Sequence, residues 1–289
     1  MSEAPRDGLI VRAARTLRRD ARVRFALIAL GVLLLLAIAG PLASPYSFDR
    51  LDWKHIAESP GWVACHWLGT DRLGRDLYVR ALAGIRVSLA IGLTATLVSS
   101  LIGIGWGATA GYLGGRTDAL MMRFVDVLNS LPYLFLIIAL TMLFGRGNPY
   151  ALFAAVGAVG WISMARIVRG QALSLRQREY IEAAVTSGAG TAHILARHIV
   201  PNLLGPVVVY AALTVPQMVL FESFLSFLGL GVQEPLASLG SLIRDGAQEM
   251  ESAPWMLLVP ASVLLVILAA FNLVGEALRD ALDPREGGA

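Results

Sequence analysis

Long uninterrupted runs of apolar residues set the pattern of this chain. Residues 25–43 carry no charged side chain, and further apolar blocks run over 87–112, 119–144, 150–168, 203–230 and 255–274, with the charges gathered between them. A helix needs about 20 largely apolar residues to cross the hydrocarbon of a bilayer, so the six blocks predict six transmembrane helices in an all-α polytopic membrane protein. Continuous apolar runs, without the alternation of barrel strands, argue against a closed barrel. The predicted organisation is a basic leader at 1–24, a first anchor at 25–43 and a long segment at 44–86 on the far side. A five-helix core at 87–275 then contains a polar segment at 169–202, and a tail follows at 276–289. Within 44–86 the stretch Leu68–Asp76 predicts a turn leading into an interfacial helix, and Pro216 is the single candidate for a break in the fifth span.

Composition agrees with this pattern. A chain of 289 residues with 56% hydrophobic and only 16% charged side chains is not a water-soluble domain. The net charge of +3 does not point to nucleic acid, because the arginines flank apolar runs instead of forming a stripe with interleaved aromatics. Charge instead sets topology. With the N-terminus inside, sixteen of the 24 Lys and Arg residues fall on the cytoplasmic side, seven of them in the leader, and eight fall outside. The positive-inside rule therefore predicts that both termini are cytoplasmic. Although Ala37-Ile38-Ala39 resembles a signal cleavage site, the long charged leader and the spans that follow favour an uncleaved anchor. Cys65 is the single cysteine, which excludes a disulfide framework and a cysteine-rich metal centre.

Catalytic signatures are missing. The phosphate loop Gly-x-x-x-x-Gly-Lys-Ser/Thr does not occur, so the chain does not hydrolyse ATP by that route, and no cofactor is expected on it. Gly105–Ala110 faintly resembles a dinucleotide fingerprint but lies inside a lipid-length apolar run with no strand before it. Gly103, Gly107, Gly111 and Gly115 recur every four residues and predict one helix face that admits a neighbouring backbone. Neither a Gly-x-Ser-x-Gly turn nor a His-Glu-x-x-His helix is present, and His193 and His198, five apart, are poorly spaced to share a helix face as metal ligands. Glu222, with Gln217 shortly before it, is an ionisable residue at membrane depth. It is either a translocation-path group or a polar side chain bonded to a neighbouring helix. Asp126 and Arg123, at i and i+3, read as a local pair.

The polar segment at 169–202 carries the most information. Residues 181–188 predict a short helix ended by glycine, since Gly188 and Gly190 can take the positive φ of a helix exit. A second helix follows with an apolar stripe of Ile194, Leu195 and Ile199 opposite His193 and Arg197, and Pro201-Asn202 is expected to end it. Two short amphipathic helices joined by small residues make a knob suited to a partner's groove.

These residues resemble a known family. Glu182-Ala183-Ala184, with Gly188 six residues after the glutamate and Pro201 thirteen after Gly188, looks like the EAA loop of binding-protein-dependent ABC importer permeases. His198 and Val200 depart from the broad pattern but are similar to the peptide and nickel branch. Leu68-Gly69-Thr70-Asp71 with Gly74-Arg75-Asp76 and Arg80, and the run 221–231 around Glu222, resemble further blocks of that branch. The resemblance implies a type I ABC importer permease in a bacterial inner membrane, with 44–86 periplasmic and an oligopeptide as cargo. Dipeptide, nickel and glutathione importers share these blocks and are the alternatives, and a self-sufficient secondary transporter is the alternative of a different class. The resemblance also implies a second homologous permease, two ATPase subunits that carry ATP and Mg, and a periplasmic solute-binding protein as partners. It further implies that Glu182, Ala183, Ala184, Gly188, His198 and Pro201 form the ATPase-coupling surface, with Gly188 making the turn.

Overall fold

The computed structural model describes residues 20–62, 65–144 and 149–282. Most of the leader and the end of the tail, including Asp283 and Pro284, lie outside the described residues. Helix α1, Ala21–Ala39, starts at Asp20, whose carboxylate accepts from the Arg22 N–H at 2.8 Å, and passes into a 3₁₀ turn at Gly40–Ala43. A loop segment leads to α2, Leu77–Leu113, a helix of 37 residues and thus about 55 Å long. The expected interfacial helix is not separate: residues 77–86 are the first turns of α2, because Asp76 caps the helix at that point through the Val79 N–H at 2.9 Å.

Gly114 and Gly115, at φ of 67° and 55°, end α2 and turn the chain into α3, Gly115–Ser130, followed by α4, Tyr133–Phe144. The apolar block at 119–144 is therefore not one straight helix. Pro132 drives Leu131 into an extended conformation, and the two helices meet at 90°. Helix α5, Pro149–Arg176, returns along α2. After α6, Glu179–Thr186, comes α7, Thr191–Phe227, a single helix of 37 residues. Pro201 was expected to end the second knob helix, yet that helix and the fifth span are continuous. A π-turn at Leu195–Ile199, in which the Val200 N–H reaches the Leu195 carbonyl, widens the coil just where the Pro201 ring must fit. Pro206 and Pro216 also lie inside α7 without interrupting it. Helix α8, Leu239–Gln248, and α9, Trp255–Leu282, complete the frame, and α9 continues helically into the predicted tail.

Four described helical stretches are long and apolar enough to cross a membrane (Ala21–Ala43, Leu77–Leu113, Thr191–Phe227 and Trp255–Ala281), and the bent pair α3–α4 adds a fifth if it counts as one span. Helix α2 sits at the centre, flanked mainly by α5 and α7, while α1 and α9 pack along its other sides. In a bilayer, lipid tails are as apolar as leucine, so close packing must hold such helices together. Glycine provides it. A Cβ at Gly103 would lie 2.6 Å from the Met164 Cβ, one at Gly111 2.7 Å from the Arg169 carbonyl, and one at Gly107 would run into the Ala165 carbonyl. Gly115 departs from this row: it stands beyond the helix end with open space at its Cβ position, and serves the turn into α3. Outside the glycine row, Ile91, Ala95, Ile137, Val156, Val159, Met218 and Leu225 form a buried core between α2, α4, α5 and α7.

The frame thus has two ends. The loop end gathers residues 44–76 and the chain around α8. The knob end gathers α6 and the first turns of α7.

Candidate functional site

The knob end is built from the bottom upward by burial. Ile181 of α6 and Ile194, Ile199 and Leu203 of α7 are fully buried against Ala108 of α2 and Val168 and Ala172 of α5. Each such aliphatic side chain contributes about 1.5–3 kcal/mol when withdrawn from water, so α6 is fixed rigidly to three long helices. The turn above them follows from Gly188, which at φ of 83° supplies the left-handed residue after α6. The Ala189 N–H then donates to the Ala184 carbonyl at 3.0 Å and the Gly188 N–H to the Val185 carbonyl at 2.9 Å. This paired helix exit satisfies two carbonyls that would otherwise be orphaned. Gly190 keeps an extended conformation, φ −71°, and starts α7, so the positive φ expected of both glycines is needed at Gly188 alone.

The tip of the knob faces solvent. Glu182, Ala183, Gly188 and Pro201 are exposed, Ala184 and His198 are half-buried, and the apolar Tyr180 and Val185 are exposed beside them. The π-turn brings His193 and His198 onto one side after all, with ring centroids 5.9 Å apart in an edge-to-face contact. A π-turn hydrogen-bonds residues five apart instead of four, which widens the coil and brings positions five apart closer to one face. At the base, Arg169 of α5 donates to both Asp118 oxygens, at 2.5 and 2.6 Å, tying α3 to the frame. Asp126 pairs with Arg166 of α5 at 2.8 Å, not with Arg123 as its spacing suggested, so it is an inter-helix contact.

Glu222 and Gln217, predicted as one polar site, face different surroundings. The Glu222 side chain is completely buried. Ser88 of α2 and Ser226 of α7 each donate a hydroxyl to it at 2.7 Å, and Ser223 donates at 3.4 Å. Ser88 in turn accepts from the Leu239 N–H at 3.1 Å, at the start of α8, and Ser226 accepts from the Val232 N–H at 3.3 Å. One carboxylate therefore organises hydroxyls that tie α2, α7, α8 and the connection between them. Gln217 instead lines a cavity of about 290 Å³ with Tyr133, Val159, Thr214 and Phe221.

The loop end is cross-braced by groups that spacing alone does not reveal. Asp71 accepts the Leu73 and Arg75 N–H groups at 2.8 and 2.9 Å and the Arg75 Nε–H at 2.6 Å, and lies 3.3 Å from Arg80 Nε. Arg75 also donates to Glu234 at 2.9 Å, which holds the Glu234 carboxyl below its usual value. Arg72 reaches Gln248 at 3.2 Å, and the Trp255 indole reaches the Thr70 carbonyl at 3.4 Å. Gly69 and Gly74 take positive φ in this segment, and a Cβ at Gly74 would run into the Asp52 carbonyl.

Comparison with known proteins agrees with this geometry. The family described as "Binding-protein-dependent transport system inner membrane component" matches residues 81–287. The oligopeptide transport system permease protein OppC of Escherichia coli K12 is 50% identical over 280 residues, covering 94% of this chain and 92% of that one. Its counterpart from Haemophilus influenzae is 46% identical over 280 residues, covering 94% and 90%. Among solved structures, a chain of the MetNI methionine ABC transporter in an inward-facing conformation superposes with a TM-score of 0.55 at 20% identity, covering 72% of this chain and 97% of that one. The fold is that of a type I ABC importer permease, and the chain belongs to the family of binding-protein-dependent transport system inner membrane components.

Proposed function

We propose that the chain is one of two permease subunits of an ATP-driven importer that moves oligopeptides across the bacterial inner membrane. The oligopeptide cargo rests on the names of relatives that align over 94% of the chain. The observation that carries the coupling role is the contrast within the knob: a base of fully buried isoleucines under an exposed tip of Glu182, Ala183, Val185 and Gly188. A load applied to such a tip moves α2, α5 and α7 as rigid bodies.

In this reading the chain is not an enzyme and binds no cofactor; ATP and Mg reside on two ATPase subunits that receive the knob. Glu182 offers them a polar contact, while Ala183 and Ala184 keep the surface low enough to enter a cleft. A second homologous permease completes the translocation path, and Gln217 faces that path from the cavity beside α4. Glu222 is a structural tie, because its oxygens already accept hydroxyls from within the chain. A solute-binding protein docks at the periplasmic loop end. Six crossings follow when α5, 28 residues and about 42 Å long, is counted with the bent pair, and both termini are cytoplasmic.

The test is reconstitution of the permease pair with its ATPases in liposomes. Oligopeptide delivered by the binding protein stimulates ATP hydrolysis, and a Gly188→Val permease assembles without that stimulation. Unchanged stimulation by Gly188→Val overturns the coupling assignment.

A further inference from the structure

We propose that the loop end holds a site for a divalent transition metal ion of the zinc type, with His66, His55 and Asp52 as its protein ligands. The three side chains each offer a donor atom, and these atoms lie within 4.8 Å of one another. The separate observation that points to a ligand is the state of His66. Its side chain is only 2% exposed, its Nδ1 is engaged by Asp76 at 2.8 Å, and its Nε2 is buried without any hydrogen-bond partner. A buried polar atom left unpaired costs about 1–3 kcal/mol, so its retention calls for a partner.

The chemistry of that nitrogen is set by its neighbours. Asp76 accepts the Nδ1–H, which fixes the tautomer and leaves the Nε2 lone pair free. A carboxylate behind a histidine that offers its other nitrogen is the arrangement that orients imidazole for a metal. Asp76 is itself immobile, since it caps α2 through Val79. The Tyr46 ring stacks on the His66 ring with centroids 4.3 Å apart and holds its plane. Asp52 and His55 stand on one turn, closed by the His55 N–H to Asp52 carbonyl bond at 3.1 Å. That turn is pressed against Gly74, where a side chain would collide with the Asp52 carbonyl.

Two imidazoles and one carboxylate suit zinc, which takes three protein ligands and leaves a fourth position to water. They do not suit calcium, which needs six or more oxygens. Tetrahedral ligands at about 2.0–2.1 Å from the ion stand about 3.3 Å apart, so the cluster must contract slightly. Asp52 and His55 can move to meet the ion, being 24% and 34% exposed, and that exposure also gives it a way in. The His55–Asp52 hydrogen bond at 2.9 Å would be exchanged for metal bonds. Bound there, the ion clips the 44–62 strap to the head of α2.

The assembled importer, carrying Cys65→Ser so that the exposed thiol cannot compete, is stripped with chelator and titrated with Zn²⁺ against a chromophoric competitor. The expected result is one high-affinity Zn²⁺ that His55→Ala and Asp52→Asn each weaken by about 100-fold or more, at unchanged assembly. X-ray absorption is expected to show two imidazoles in the shell. Both variants alter half-buried side chains and leave the buried His66–Asp76 pair intact, so folding is preserved. Zn²⁺ uptake that is equal in the parent and both variants, or no Zn²⁺ bound by the parent, overturns the proposal.

Discussion

At the loop end Asp71 alone accepts two backbone N–H groups and meets two arginines, and Arg75 carries the brace on to Glu234. At the knob end the charges at the base are equally engaged, as Asp118 and Arg169 show, but the tip is not: Glu182 makes no ion pair among the described residues, and Val185 and Tyr180 present apolar surface to solvent. A region that satisfies itself is a brace, whereas one that satisfies only its base is a handle. Substitutions at the buried groups of the first should therefore remove the protein, and substitutions at the tip of the second should remove transport while sparing the protein.

The strongest attempt to break this contrast is Gly74→Ala. Its positive φ and the adjacent Asp52 carbonyl leave no room for a methyl group. A loss of about 3 kcal/mol or more is expected, seen as loss of folded chain in the membrane and a lower Tm in detergent. A normal Tm would remove the loop end's claim to be a brace. Next is Glu222→Leu, which leaves the Ser88 and Ser226 hydroxyls without their acceptor at about 1–3 kcal/mol each, while Glu222→Gln retains an acceptor and should assemble normally. Uptake of acidic, neutral and basic peptides separates the roles: a charge-selective defect in Glu222→Gln at full assembly would move Glu222 from the brace to the path.

Gly188→Val sharpens the comparison from the other side. No atom lies within 4 Å of its Cβ position, so the cost is the left-handed backbone alone, about 1–2 kcal/mol. Chain level should persist while peptide uptake fails; reduced level with normal uptake per molecule would make Gly188 structural. A smaller effect is expected from Arg166→Ala, since its partner Asp126 is 57% exposed and such pairs contribute about 0–1 kcal/mol. The smallest is a pH dependence. Arg75 lowers the Glu234 carboxyl below its ordinary 4.5, so the stabilisation is complete above that value and is lost as pH falls through the lower folded value. Glu234→Gln should flatten this acid limb in thermal melts, and an unchanged limb would assign it to other carboxyls.

What the sequence could reveal depended on the range of the interaction. Apolar runs and the four-residue glycine row are local, and they anticipated α1, α2, α7 and α9 and the close approach of α5 at Gly103, Gly107 and Gly111. The Gly188 turn was equally local. The break at Pro132 was overlooked although two signals were available, the proline itself and the change from a half carrying Arg123, Asp126 and Asn129 to a nearly wholly apolar one. Pro201 misled in the opposite direction, since a π-turn absorbs a ring that an α-helix rejects. The tie from Glu222 to Ser88 spans 134 residues, and that from Arg75 to Glu234 spans 159. No pattern along the chain encodes those pairings. The same reason hid the gathering of Asp52, His55 and His66, which depends on how the strap folds over the head of α2.

The central claim is that the exposed tip of the knob is the surface through which ATPase motion enters the permease. It is tested most directly by site-specific crosslinking in the assembled importer. In a Cys65→Ser chain, Val185→Cys should form a thiol crosslink to an ATPase subunit, with a yield that changes between nucleotide-free and ATP-bound states. Gln248→Cys, at the loop end, should form none. An ATPase adduct at position 248, or none at position 185 in any nucleotide state, would contradict the account.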